Sequence, residues 1–190
     1  MVDAGRLFLD GLDAFGAVVD RLGPEDWDRP SPDEGWSALD VLGHLGTSIA
    51  MGVSLMRGEQ PTWPVADRPA DLVEGEPSAY WARIAGEARG ALDGADLDLV
   101  MDTPMGPRTV ADRLAFPVVD LFVHAWDVGH AAGFAVEIPD EVIAFSHRYI
   151  DPIPEDMVRG GEGAFGPEVE PPADATATEA FIAWTGRTPR

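Results

Sequence analysis

The chain has 190 residues and a formal net charge of −21, from 34 acidic and 13 basic side chains. All 13 bases are arginine, and the chain contains neither lysine nor cysteine. These absences exclude lysine Schiff-base chemistry, disulfides, CxxC zinc sites, iron–sulfur clusters and a protein thiol nucleophile. The charge would repel phosphate backbones and anionic membrane surfaces, so we expect no nucleic-acid or membrane partner.

The hydropathy pattern is that of a globular chain, with 45% hydrophobic residues. No apolar run approaches the roughly 20 residues that span a bilayer. The first residues lack the basic start and apolar block of a secretory signal. We therefore expect a soluble cytoplasmic protein, a monomer or homodimer, that binds a small-molecule substrate.

Three helices are predicted in the first half of the chain. Apolar residues recur at spacings of three and four over residues 3–22, and Gly-Pro ends that stretch. Ser37 and Asp40 have the spacing of a capping box, which predicts a helix from there to Arg57. A third periodic stretch covers residues 78–92.

A fourth helix is predicted from a second capping box, Thr109 with Asp112, to Ala132, with Pro117 as a candidate kink. A short strand-like piece precedes it, and shorter helices are expected over residues 140–150 and 177–185. Long helices joined by irregular loops predict an all-α four-helix bundle. We assign residues 1–150 to the bundle and residues 151–190 to a Pro/Gly-rich extension packed on it.

Two of the four histidines, His44 and His124, lie near the centres of the second and fourth helices. His130 is six residues past His124, too far round the helix to share its face. His147 reads as a surface or packing residue. His44 and His124 are therefore the histidines that the bundle core can bring together.

Asp120 lies four residues before His124, so both side chains leave one helical face about 5–6 Å apart at Cβ. Two ligands one turn apart can chelate a divalent ion, and His44 from a facing helix would complete a His2Asp tripod. Catalytic zinc sites have three such ligands and one open position. Asp127, on the same face, would orient a ligand or bound water.

A structural alternative stays open, because acidic residues are common enough for this spacing to arise by chance. His124 could instead be a core histidine paired with aspartate where two helices cross. Asp40 has the same spacing to His44, but its capping role already explains it. Trp36 and Trp126 are expected in the core rather than stacked on a substrate.

Three segments resemble a known family. Residues 35–45 resemble the Trp-Ser…His-Leu signature of the DinB-like superfamily. Residues 120–133 resemble the acid-xxx-His-x-Trp-Asp segment of the mycothiol-dependent maleylpyruvate isomerase metal-binding family. The ending, residues 165–189, is similar to that of its small actinobacterial members.

The resemblance implies a DinB-type bundle that binds a divalent metal ion, usually zinc, through His44, Asp120 and His124. Asp120 stands where the isomerase has Glu, and we expect the isomerase's separate C-terminal domain to be missing. The thiol of such a reaction must come from outside, and the resemblance implies mycothiol as the co-substrate. We therefore expect a metal-dependent thiol transferase or isomerase. The alternatives are a metal-dependent hydrolase and a bundle that binds metal or a small ligand without turnover.

Overall fold

The computed structural model describes residues 3–103, 106–159 and 164–189, which form two compact units, Met1–Phe134 and Ala135–Arg190. The first unit holds the long helices and the second holds shorter ones. The helix Asp140–Ile150, which the sequence analysis assigned to the bundle, lies in the second unit.

The first unit is a four-helix bundle, which confirms the predicted all-α fold class. Its long helices are α1 (Ala4–Val19), α2 (Ala38–Met56), α3 (Pro77–Leu92) and α5 (Ala115–Ala131), with the short α4 (Val110–Arg113) before α5. Helix α1 packs on α3 and α5, and α2 packs on the same two helices. Each helix thus buries its apolar face against two neighbours, and α2 lies directly beside α5.

The predicted fourth helix is interrupted, which corrects the expectation of one continuous helix from Thr109. Helix α4 ends at Arg113, Leu114 forms a turn, and α5 begins at Ala115. Pro117 explains the break: it has no N–H to donate to the Arg113 carbonyl, and its ring crowds that oxygen. Helix α1 also ends three residues earlier than expected, at Val19.

The predicted capping boxes are present. Ser37 accepts the backbone N–H of Asp40, and Asp40 accepts the backbone N–H of Ser37. Thr109 and Asp112 exchange the same pair of bonds. Before α4, strands β1 (Val100–Met101) and β2 (Arg108–Thr109) pair antiparallel.

Helix α2 is the one helix among the described residues that is long and apolar enough to cross a membrane, although the sequence analysis found no such run. Of its apolar window, 72% is buried inside the protein. A core helix of a globular bundle has this burial, because it is covered by protein on most sides.

A short 3-10 helix, Pro69–Leu72, packs on the first turns of α2. A Cβ on Gly43 would overlap the Pro69 carbonyl oxygen, so this close approach requires glycine. Asp40, only 2% exposed, accepts hydrogen bonds from the Ala70 N–H and the Arg68 guanidinium. Asp40 therefore both caps α2 and fastens this segment to it.

The second unit contains α6 (Asp140–Ile150), α7 (Glu155–Val158) and α8 (Ala177–Trp184). The sequence analysis predicted α6 and α8 and left the region of α7 irregular. His147 on α6 packs against the rings of Phe181 and Trp184 at centroid distances of 5.8 and 4.5 Å. This histidine is thus a packing residue of its own unit.

Candidate metal centre

Helices α2 and α5 each contribute one pair of polar side chains, one turn apart, to the same place in the bundle. Helix α2 contributes His44 and Ser48, and α5 contributes Asp120 and His124. Residues at i and i+4 share a helix face, and the packing of α2 on α5 turns the two faces toward each other. The structure therefore brings together the three residues selected from the sequence.

The three side chains are close enough to share one ion. One nitrogen of His44, one of His124 and one carboxylate oxygen of Asp120 all lie within 4.8 Å of one another. His44 Nε2 is 3.7 Å from Asp120 Oδ2. Ligands of a tetrahedral zinc ion with bonds of about 2.0–2.1 Å lie roughly 3.3 Å apart, so the His44–Asp120 pair is already close to the spacing that zinc requires.

Asp127 holds the ring of His124 in place. Its Oδ2 lies 2.8 Å from His124 Nδ1, and its side chain is fully buried. An ionised carboxylate can only accept, so Nδ1 carries a proton and Nε2 is the ring nitrogen left to face an ion. Metal-bound histidines commonly donate their other ring N–H to a carboxylate in this way. The expected role of Asp127 is consistent with this contact.

A second group of potential ligands, Asp33, His124 and Asp127, also lies within 4.8 Å. Asp33 Oδ2 is 3.7 Å from His124 Nδ1. However, the 2.8 Å separation of Nδ1 and Asp127 is that of a charge-assisted hydrogen bond and is too short for two ligands flanking a cation. The group of His44, Asp120 and His124 is therefore the one whose geometry suits a shared ion.

The electrostatics of the centre favour an ionised Asp120. Burial by itself raises the pKa of Asp120, but the hydrogen bond and electrostatic attraction of His44, together with His124 and the Ser48 hydroxyl, lower it from 3.8 to about 2. Burial lowers the pKa of His124, yet the hydrogen bond and charge of Asp127, with Asp120 and Asp33, raise it overall. The cluster is thus an anionic environment, which attracts a cation.

Two residues at the centre were not found by sequence analysis. Ser48 donates a 2.7 Å hydrogen bond to Asp120 Oδ2. Its spacing of four from His44 was the available signal. Asp33 lies in the loop before α2, where no periodicity marks its direction. Trp36, expected in the core, is half-buried with its ring centroid 5.2 Å from that of His44.

The donor set fits a divalent ion such as zinc. Two imidazoles and one carboxylate are common zinc ligands, and the hydrogen bonds from Ser48 and to Asp127 orient one ligand on each side. The His44 side chain is 35% exposed, so the centre can be reached from solvent. His130, which the sequence analysis excluded as a ligand, stacks on Trp126 at 4.7 Å and is not in the cluster.

Fold and centre together define a helical-bundle protein with a histidine–aspartate cluster of metal-site geometry. Residues 8–129 match the family model of the mycothiol maleylpyruvate isomerase N-terminal domain. The match covers most of the chain and includes all three cluster residues. The chain belongs to this family, as the sequence resemblance indicated.

Relatives and solved structures agree with this assignment. The uncharacterized proteins MT0763 and Rv0738, from two strains of Mycobacterium tuberculosis, are each 25% identical over 183 residues, which is 94% of this chain and 94% of theirs. The crystal structure of the mycothiol-dependent maleylpyruvate isomerase is similar with a TM-score of 0.56 and 14% identity, over 75% of this chain and 65% of that chain. A histidine-to-alanine mutant of the isomerase gives 0.58 and 13%, over 87% and 72%. At these identities the two structures support the shared fold.

Proposed function

We propose that this protein binds a divalent metal ion, zinc in the first instance, through His44, Asp120 and His124, and that it acts as a mycothiol-dependent transferase or isomerase on a small molecule. The observation that carries the proposal is the convergence of three donor atoms from α2 and α5 within 4.8 Å. Family membership suggests mycothiol as the thiol co-substrate, because the family is named for a mycothiol maleylpyruvate isomerase.

Each side chain of the centre has a defined task in this proposal. His44 and His124 would each offer an imidazole nitrogen to the ion, and Asp120 would offer the one negative charge. Asp127 keeps the proton on His124 Nδ1, and Ser48 fixes the rotation of the Asp120 carboxylate. A divalent ion at this place lowers the pKa of a bound thiol, so that its thiolate is available near neutral pH. The thiol must be external because the chain has no cysteine.

Metal analysis tests the binding part. We expect one zinc per chain after reconstitution and removal of free metal, and loss of it in His44→Ala and His124→Ala. The matched control is His130→Ala, on the same helix as His124 but stacked on Trp126 outside the cluster. Wild-type protein without stoichiometric metal, or equal retention in all three variants, would contradict the proposed centre.

A thiol assay tests the catalytic part. The zinc-loaded protein is incubated with mycothiol and either maleylpyruvate or 1-chloro-2,4-dinitrobenzene, and isomer or conjugate is followed by absorbance and mass spectrometry. Turnover that needs mycothiol and disappears in His124→Ala supports the proposal. Turnover of ester substrates without thiol supports a hydrolase instead. Stoichiometric metal with no turnover supports a binding protein without catalysis.

A further inference from the structure

A cavity lies in the first unit, away from the metal centre. It has a volume of about 740 Å³ and is bounded by α2, α3 and the segment between them. Its α2 residues include Gly46 and Val53. At 100° per residue, Val53 points about 180° away from His44 round the helix axis. None of the cluster residues lines this cavity, so α2 separates it from the metal centre.

The inner wall of the cavity is apolar. Ile49 and Ile84 are buried in it, and Val53, Leu72 and Ala50 extend the same surface. The rest of the lining is polar or charged, so the cavity combines an apolar inner wall with polar groups that can orient a small molecule. Its mouth carries Trp63, whose indole is 53% exposed.

Tyr80 places an unpartnered hydroxyl in this cavity. The residue is only 7% exposed, and its hydroxyl makes no hydrogen bond with any residue that the structure describes. The hydroxyl oxygen is nevertheless accessible from the cavity. Among the described residues, every fully buried side-chain N or O atom has a hydrogen-bond partner, so this unbonded oxygen is not fully buried. It occupies the volume that a Cβ on Gly46 would take. The hydroxyl is therefore free to donate a hydrogen bond to an acceptor that enters the cavity.

Arg83, an exposed residue of the cavity lining, supplies a positive charge beside the Tyr80 ring. Its guanidinium lies 5.1 Å from the centroid of the Tyr80 ring, and no carboxylate of the described residues pairs with it. The other arginine of the cavity, Arg57, is already paired with Glu87 at 3.0 Å. An O–H donor and a guanidinium that line the same cavity can together bind a carboxylate.

Acidic residues at the mouth limit the charge of the ligand. Glu59 and Glu74 line the cavity and are exposed, where solvent screens them. Burial has the largest effect on the Tyr80 hydroxyl and raises its pKa. Arg83 lowers this pKa by more than Glu74 raises it, so the local field at the hydroxyl favours a negative charge. One carboxylate is therefore accommodated at the inner end, and further negative charges near the mouth are repelled.

We propose that the cavity between α2 and α3 is a binding site for an aromatic monocarboxylate, whose carboxylate is held by Tyr80 and Arg83 and whose ring lies on the apolar wall. The inference does not depend on the proposed metal chemistry. It rests on the unpartnered hydroxyl, the unpaired guanidinium and the apolar volume beside them.

Calorimetric titration with 2-naphthoate tests this site, with 2-naphthamide as the neutral ligand of the same shape. We expect naphthoate to bind one site per chain and naphthamide to bind at least tenfold more weakly. Tyr80→Phe and Arg83→Gln should each weaken naphthoate binding roughly tenfold, the usual loss for one hydrogen bond to a charged group. The control Arg89→Gln, on the same helix but paired with Asp13, should leave binding unchanged.

The same titration separates this cavity from the metal centre. We expect the naphthoate affinity to be the same in His44→Ala and in chelator-treated protein. Loss of binding in either would overturn the proposal, because the carboxylate would then be a ligand of the metal centre. Equal binding of the amide, or no effect of Tyr80→Phe and Arg83→Gln, would also overturn it.

Discussion

The hydroxyl of Ser48 on α2 donates a 2.7 Å hydrogen bond to Oδ2 of Asp120 on α5. This bond crosses the helix interface at the metal centre, and it fixes the carboxylate that would carry the negative charge of the ligand set. Ser48 is 6% exposed, so solvent cannot easily replace it. The bond leads to the first of four predictions.

Replacing Ser48 by alanine should weaken zinc binding about tenfold or more, because Asp120 loses the partner that sets its rotation. The affinity is measured by competition with a chromogenic chelator. Ser48→Thr should restore much of it, since the hydroxyl is retained. Ser54→Ala is the control, because among the described residues its hydroxyl bonds only to the Ala50 carbonyl of the same helix. Equal affinities for Ser48→Ala and wild type would contradict this role.

Replacing Asp127 by asparagine should lower zinc affinity by 10- to 100-fold, the range found when a partner of a metal-bound histidine is lost. An amide is neutral and can present its NH2 to Nδ1, so the ring of His124 loses its fixed tautomer. The matched control is Asp151→Asn, which alters a similar but exposed Asp–His contact, Asp151 with His147, at the C-terminal end of α6. An equal loss in both variants would point to a general destabilisation, as would a fall in unfolding free energy without a change in affinity.

Asp40 should stabilise the bundle in a pH-dependent way. Burial raises its pKa, but hydrogen bonds from Ser37, the Ala70 N–H and Arg68 lower it from 3.8 to about 2. Its contribution is therefore complete above pH 3.8 and is lost as the pH falls through about 2. The lowered pKa corresponds to about 2 kcal/mol at pH 7, and roughly half of that remains at pH 3.

Urea unfolding of Asp40→Asn at pH 7 and pH 3 measures this effect. We expect the free energy of unfolding to fall by about 2 kcal/mol at pH 7 and by less at pH 3. Asp112→Asn removes the carboxylate of the other capping box, which has no bond from a second segment, and should cost about 1 kcal/mol or less. A difference between wild type and Asp40→Asn that does not shrink in acid would be inconsistent with the lowered pKa.

Gly43→Ala should destabilise the first unit by about 1–3 kcal/mol, because the added methyl overlaps the Pro69 carbonyl and must push the segment off α2. Gly52→Ala is a matched change in the same helix. Its added Cβ meets only ordinary contacts, the nearest at 3.6 Å to Leu114. It should stabilise the helix by up to about 1 kcal/mol. Unfolding in urea compares the two, and effects of the same sign would contradict the close approach.

Local features of this fold were predictable and features between elements were not. The capping boxes at Ser37 and Thr109 depend on residues three apart, and Asp120 and His124 share a face through one helical turn. Both relationships are encoded in spacing. Whether His44 faces that pair depends on the register between α2 and α5, which periodicity does not specify; the family resemblance supplied it.

The features that were missed have the same origin. Ser48 is an uncharged residue of a common type, and its partner Asp120 is 72 residues away in the chain, so no local pattern identifies it as part of the site. Asp33 lies in a loop, where no helical period gives its direction. Pro117 indicated a kink in this helix, but not that the helix is interrupted at Leu114. A proline acts one turn upstream, where the Arg113 carbonyl loses its N–H donor.

Helix α2 separates two sites, the cavity and the metal centre, which share no lining residue. Ala50 and Val53 line the cavity, whereas His44 and Ser48 lie at the interface with α5. Substitutions at Ala50 and Val53 can therefore change which ligands the cavity admits without displacing a donor atom of the metal centre. The cavity and the metal centre are therefore free to diversify separately on a single scaffold.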